Sequence, residues 1–267
     1  MGGEAFPKLV ELMAYLRSPE GCPWDRAQDF RSLKALIIEE SYEVIDAIDA
    51  NDPDSLEDEL GDLLFQVVFC ARLAEEEGRF NIDGVVERIR AKLIRRHPHV
   101  FGERKARTAE EALASWRSVK ATEQGNGESE GKAISALDGL APSLPAALAA
   151  HDLGTRAAEA GFDWTAASDV LRKIEEETNE LQSELGAAKP SGERIEEEIG
   201  DLLFAAANLA RKSGTDSESC LRAANRKFER RFRALEREVA GRGKKIDECG
   251  AQELDKIWEA VKQKERE

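Results

Sequence analysis

Glu176-Glu177-Thr178-Asn179-Glu180, followed by Glu198-Ile199-Gly200-Asp201-Leu202-Leu203-Phe204, is the second occurrence of one pattern in this chain. The first stands 137 to 139 residues earlier, as Glu39-Glu40-Ser41-Tyr42-Glu43 and then Glu59-Leu60-Gly61-Asp62-Leu63-Leu64-Phe65. Acidic residues number 54 of 267. Five fixed acidic positions therefore coincide by accident on the order of once per few thousand starting points. A second match in the same order, with the same Gly-Asp-Leu-Leu-Phe tail, makes accident untenable. The chain reads as a duplication of one metal-binding helical unit.

The surrounding periodicity is helical. Leu33, Leu36, Ile37, Val44, Ile45 and Ile48 recur at three- and four-residue steps, as do Leu60, Leu63, Leu64, Val67, Val68 and Ala71. Val170, Ile174, Leu181 and Leu185, then Ile199, Leu202, Leu203, Ala206 and Leu209, repeat the theme. No alternating strand pattern stands out, so the fold class is all-α. Asn51-Asp52-Pro53-Asp54 and Lys189-Pro190-Ser191-Gly192 interrupt the helices between the two halves of each acidic motif. Each motif is thus predicted to be a helical hairpin with carboxylates on both arms. The duplication reaches further: Trp24 corresponds to Trp164, Lys92 and Arg96 to Lys227 and Arg231, and Trp116 and Lys120 to Trp258 and Lys262. The Gly-rich polar stretch from Glu123 to Gly131 reads as a flexible linker. The expected organisation is a first domain over 1–122, a linker over 123–135 and a second domain over 136–267.

Net charge is −15, which argues against a general nucleic-acid or anionic-membrane surface while leaving room for a small basic pocket. Cys22, Cys70, Cys220 and Cys249 are far apart and form no Cys-x-x-Cys pair, as expected of thiols in a reducing cytoplasm. The N-terminus shows no basic segment leading into an apolar run, so no signal peptide is expected. Phe6 stands where a myristoylation signal needs Ser or Thr. No stretch approaches the ~18 apolar residues of a membrane span.

In a helix, Glu177 and Glu180 are i,i+3 neighbours, as are Glu198 and Asp201, and the hairpin can bring the pairs together. Glu40, Glu43, Glu59 and Asp62 form the same set in the first unit. Four converging carboxylates repel one another unless a cation sits among them, and an all-oxygen donor set suits Mg²⁺, with Mn²⁺ as a substitute. His97, His99 and His151 lie outside both motifs, which disfavours a di-iron bundle. Gly61 and Gly200 remove a side chain where something approaches closely or where helices pack. Lys227 and Arg231, four apart after the second hairpin, recur in the first unit as Lys92 and Arg96. Acids that hold a metal, faced by Lys and Arg, suit a polyphosphate. No Walker-type loop and no Gly-x-Gly-x-x-Gly occurs, so a nucleotide would be held through metal and side chains. Trp164 and Trp258 either stack on a base or fill the core.

These motifs resemble the MazG family of nucleoside triphosphate pyrophosphohydrolases, almost end to end. The strings that carry the resemblance are Gly-Cys-Pro-Trp-Asp (21–25), Glu-Leu-Gly-Asp-Leu-Leu-Phe-Gln-Val-Val-Phe (59–69) and Arg-Arg-His-Pro-His-Val-Phe (95–101). Ser-Ala-Leu-Asp (135–138), Gly-Phe-Asp-Trp (161–164) and Lys-Phe-Glu-Arg-Arg-Phe (227–232) add to them. The resemblance implies two tandem all-α helical bundles completed by dimerisation. It also implies Mg²⁺-dependent cleavage of NTPs or dNTPs between the α- and β-phosphates. Carried onto this chain, Glu177, Glu180, Glu198 and Asp201 match metal ligands. Lys173, Glu176, Arg194, Glu197, Lys227, Arg231, Trp258 and Lys262 match nucleotide-contacting positions, and Glu176 is the residue expected to handle the attacking water. The first unit has Leu36 and Ser55 where the second has Lys173 and Arg194, so the second is expected to carry most hydrolysis. The rival reading is a non-catalytic acidic helical protein that binds partners.

Overall fold

The computed structural model describes residues 5–102, 105–125 and 135–265, and among these it is helical with no strand. The chain divides into two units, Met1–Gly127 and Glu128–Glu267. The first contains α1 (Ala5–Leu16), α2 (Pro23–Ala27), α3 (Phe30–Ala50), α4 (Pro53–Glu76), α5 (Ile82–Arg96), α6 (Pro98–Phe101) and α7 (Ala109–Gly125). The second contains α8 (Ala146–Glu159), α9 (Ala167–Leu185), α10 (Gly192–Lys212), α11 (Ser217–Gly241) and α12 (Ala251–Lys264), with a 3₁₀ turn at Ile246–Glu248.

Local chemistry sets the hairpin ends. Asp29 accepts from the backbone N–H groups of Arg31 and Ser32 to start α3. Asn51 ends that helix in the left-handed region at φ 53°, a conformation Asn tolerates better than most residues. Asp52 then caps α4, with Pro53 at its first position, where a missing N–H costs nothing. In the second unit Ser191 caps α10 by accepting from the Arg194 N–H, and Asp216 caps α11 by accepting from Ser219. The α3–α4 and α9–α10 hairpins are the tightest pairings of their units.

In the first unit Met13, Leu33, Val68, Phe69 and Leu73 form the core, burying α1 against both hairpin arms. Arg17 crosses its edge, 2.6 Å from Glu76 Oε2 and 5.5 Å from the centre of the Phe69 ring. In the second unit the position equivalent to Phe69 is Asn208, which is fully buried. Its amide donates to the Phe204 carbonyl at 3.1 Å and its Oδ1 accepts from Arg211 Nε at 3.0 Å. Arg211 Nη2 in turn lies 2.6 Å from Asp163, and Lys212 Nζ 3.0 Å. Leu235, Val239, Ile257 and Val261 make a separate apolar cluster between α11 and α12.

Two readings of the sequence need correction. Glu123, taken as the start of a linker, is inside α7, because its carboxylate is held 2.9 Å from Arg95 and 2.7 Å from Arg96 on α5. The rest of the expected linker, 126–134, lies outside the described residues. Gly61 and Gly200 do not mark a close approach within this chain: a Cβ at either meets nothing within 4 Å, since both face outward from their helices.

Candidate metal and nucleotide site

The α9–α10 hairpin brings Glu177, Glu180 and Glu198 together, with one carboxylate oxygen from each within 4.8 Å of the others. Glu177 is 3 % exposed, so its charge is largely withdrawn from water and needs compensation. Lys173, one turn earlier on α9, supplies some: its Nζ is 2.6 Å from Glu177 Oε1 and 2.8 Å from Glu176 Oε1. Burial, reinforced by Glu180, Glu177, Glu197 and Asp201, pushes the Glu198 carboxyl above the usual range. Asp201 and Glu197 thus add to the negative field at Glu198, although Asp201 is not one of the three grouped oxygens.

The α3–α4 hairpin repeats the arrangement. Glu40, Glu43 and Glu59 also approach within 4.8 Å of one another. The Glu40 carboxyl is raised by burial and then by Asp62 and Glu43. That of Glu59 is raised by burial, Glu43 and Asp62. Among the described residues no Lys or Arg forms an ion pair with Glu40, Glu43 or Glu59. Gln66, one turn beyond Asp62, donates from Nε2 to Glu40 Oε1 at 3.5 Å.

Both clusters offer only oxygen donors, closely spaced, partly buried and short of counter-charge. That donor chemistry fits a hard divalent cation.

The other expected contact residues lie elsewhere on the second unit. Arg194, at the start of α10, pairs with Glu184 Oε2 at 3.3 Å. The same Glu184 accepts from the Ser191 N–H at 2.9 Å, closing the hairpin turn. Lys227 and Arg231 sit on α11, where Arg231 is 2.6 Å from Glu265. On α12, Lys262 is 2.7 Å from Glu259, and Trp258 packs on the α11–α12 apolar cluster with Phe228 at 5.5 Å. Among the described residues no ion pair joins Lys227, Arg231 or Lys262 to the three clustered glutamates. Core filling is therefore what Trp258 does in the isolated chain.

Sequence reasoning missed Gln66, Glu184 and the Glu123/Glu265 pair. The last left a readable signal: each Glu follows its Trp (Trp116, Trp258) by seven residues and binds two consecutive arginines, Arg95–Arg96 or Arg230–Arg231.

A duplicated all-α hairpin, with a cluster of three carboxylates on each copy whose donors suit a divalent cation, defines the class of this protein. The MazG nucleotide pyrophosphohydrolase domain matches residues 28–101 and 166–235, one hairpin in each match. The chain is 46 % identical over 259 residues to a nucleoside triphosphate pyrophosphohydrolase of Escherichia coli K12, covering 97 % of both chains. It is 44 % identical over 260 residues to a nucleoside triphosphate pyrophosphohydrolase/pyrophosphatase of Thermotoga maritima, covering 97 % of this chain and 96 % of that one. A solved MazG-related protein from Thermotoga maritima is 29 % identical, with a TM-score of 0.38 over 43 % of this chain and 98 % of that one. The chain belongs to the MazG nucleotide pyrophosphohydrolase family.

Proposed function

We propose that this chain hydrolyses nucleoside triphosphates, ribo- or deoxyribo-, between the α- and β-phosphates, with Mg²⁺ as cofactor and Mn²⁺ as a substitute. Water adds to one of the two phosphorus atoms flanking the bridge, the bond to the bridging oxygen breaks, and a nucleoside monophosphate and pyrophosphate leave. Glu177, Glu180, Glu198 and Asp201 would hold the cation. Its contribution when bound is to neutralise phosphate charge and to lower the pKa of water. Lys173, Arg194, Lys227, Arg231 and Lys262 would bind phosphate oxygens, Trp258 the base, and Glu197 the nucleotide. Glu176, exposed and hydrogen-bonded to Lys173, would orient the attacking water and accept its proton.

The observation that carries this reading is the C-terminal cluster itself: three convergent carboxylates with an ammonium already among them. A triphosphate and its cation supply the complement to both charges. The E. coli and T. maritima relatives, named for this activity, support it. The exposed apolar side chains Leu203 and Phe228 support a homodimer that covers them. Among the described residues no helix is long and apolar enough to cross a membrane. The role proposed for the activity is cytoplasmic nucleotide-pool housekeeping. We place most hydrolysis in the C-terminal domain, 136–267. Pyrophosphate release across a nucleotide panel with Mg²⁺ tests the proposal; undiminished release in excess EDTA, or none with any nucleotide, overturns it.

A further inference from the structure

Helix α11 carries an arginine stripe that the first unit lacks. Arg226, Arg230, Arg233 and Arg237 recur at steps of three and four, so they share one face of the helix over about 16 Å. The equivalent positions of the first unit are Ala91, Arg95, Pro98 and Gly102. Three of the four cations are therefore additions to the duplicated scaffold. Guanidinium groups one turn apart repel one another, so the stripe weakens the helix that carries it. Arg230 and Arg237 also line a groove of about 600 Å³ between α11 and the end of α12. Its other cations are Arg242 and Lys264, and its acids are Glu238 and Glu265. Both acids are already paired: Lys264 Nζ is 2.7 Å from Glu238, and Arg230 Nε is 2.8 Å from Glu265. Arg237 has no ion-pair partner among the described residues, and Arg242 reaches Glu253 at 3.7 Å. The groove thus keeps a positive excess in a chain of net charge −15.

We propose that this groove binds an inorganic polyphosphate anion, from pyrophosphate upward, and does so without a metal ion. Carboxylate clusters repel phosphate unless a cation lies between, whereas guanidinium forks meet phosphate oxygens directly, two N–H groups at a time. A volume of about 600 Å³ falls within the range of small-ligand sites, about 300–1,000 Å³, which favours a small anion over a protein segment. Among the described residues no aromatic ring lines the groove, so charge is what it recognises and a base finds nothing to stack on. Arg226, Arg230, Arg233 and Arg237 also line an adjoining hollow of about 220 Å³, which extends the cationic track along α11. A longer phosphate chain meets more of these arginines and binds more tightly. None of the clustered glutamates, nor Lys173, Lys227 or Lys262, lines the groove, so it is separate from the carboxylate site. Pyrophosphate is also the product expected of the reaction proposed above, but the groove's chemistry does not depend on that reading.

Inorganic tripolyphosphate titrated into the full-length protein in EDTA at low salt, followed by isothermal titration calorimetry, tests the site. The expected result is one site per chain, with pyrophosphate binding more weakly and ATP no more tightly than tripolyphosphate. Arg230→Ala and Arg237→Ala should each weaken tripolyphosphate at least about tenfold by removing a charge-assisted contact. Both residues are exposed, so the fold should survive, and far-UV circular dichroism checks this. Arg237→Lys, which keeps the charge and loses the fork, should fall between Arg237→Ala and wild type. Lys34→Ala, at an exposed position of the first unit, controls for net charge and should leave affinity unchanged, as should Lys173→Leu beside the clustered glutamates. Absence of binding in EDTA, or affinity indifferent to both Arg230→Ala and Arg237→Ala, overturns the proposal. So does loss of binding in Lys173→Leu, which would place the anion at the carboxylate site. ATP binding more than about tenfold tighter than tripolyphosphate would make the groove a nucleoside site and overturn the ligand class assigned to it.

Discussion

Lys173 stands within hydrogen-bond reach of two carboxylates, and its bonds to Glu176 and then Glu177 hold its pKa above the ordinary lysine value. It is therefore a fixed cation at any pH where the protein works. Losing one charge-assisted hydrogen bond to phosphate costs about 1.5–3 kcal/mol, so Lys173→Leu, which copies the first unit, should lower kcat/KM roughly 10- to 150-fold. An unchanged kcat/KM for pyrophosphate release would remove Lys173 from substrate binding. Glu177→Gln should be more severe, abolishing turnover with helicity intact, while Glu40→Gln should leave most of the activity. Equal losses from both would show that the missing Lys and Arg do not rank the copies. The clustered acids were legible in the sequence because an i,i+3 pair is fixed by helical period alone. Gln66 and Glu184 were not, because their roles depend on which residues face each other across a hairpin turn. Arg194 shows the same limit: its charge could be read, but its pairing with Glu184 could not.

The α8–α10 contact leaves no room for an added atom at Gly154. A Cβ on Gly154 would fall 2.0 Å from Asn208 Oδ1, and Asn208 is fully buried and tied to Arg211. Overpacking of this kind costs about 1–3 kcal/mol, so Gly154→Ala should lower the urea midpoint clearly. Gly61→Ala provides the contrast, because nothing lies within 4 Å and Ala is a better helix former by roughly 0.5–1 kcal/mol. It should be neutral or stabilising; a large loss there would reveal a neighbour supplied by another copy of the chain. The hairpins themselves were readable because Pro53, Pro190 and their polar neighbours can only end or start helices. The end of α7 was hidden by composition. The Gly-rich stretch begins within three residues of Glu123, and the pairs that tie this turn to Arg95 and Arg96 join residues far apart in sequence.

Two sets of carboxylates give the whole chain opposite responses to pH. Asp163, held at about 2 by hydrogen bonds from Arg211 and then Lys212, binds a proton less readily folded than unfolded. Its contribution is present above its ordinary value of 3.8 and is lost as pH falls toward 2. Asp163→Asn should therefore destabilise fully at neutral pH, with the difference from wild type shrinking as pH drops through that window. Glu40, Glu59 and Glu198 behave the other way, because burial first and like-charged neighbours second raise them above the carboxylate range. These groups hold a proton more tightly when folded, so their contribution is favourable in acid and fades as pH rises past the raised values. In EDTA, raising the pH from the ordinary carboxylate value of 4.5 toward neutrality should thus lower Tm, as the clusters become fully charged without a bound metal ion. Mg²⁺ binds the native clusters and relieves that repulsion, so it should raise Tm and flatten its fall with pH. The comparison to make is a Tm series in EDTA, in Mg²⁺ and in NaCl of equal ionic strength. A flat EDTA series, or a NaCl series matching the Mg²⁺ one, would show that general screening rather than a bound cation governs the clusters.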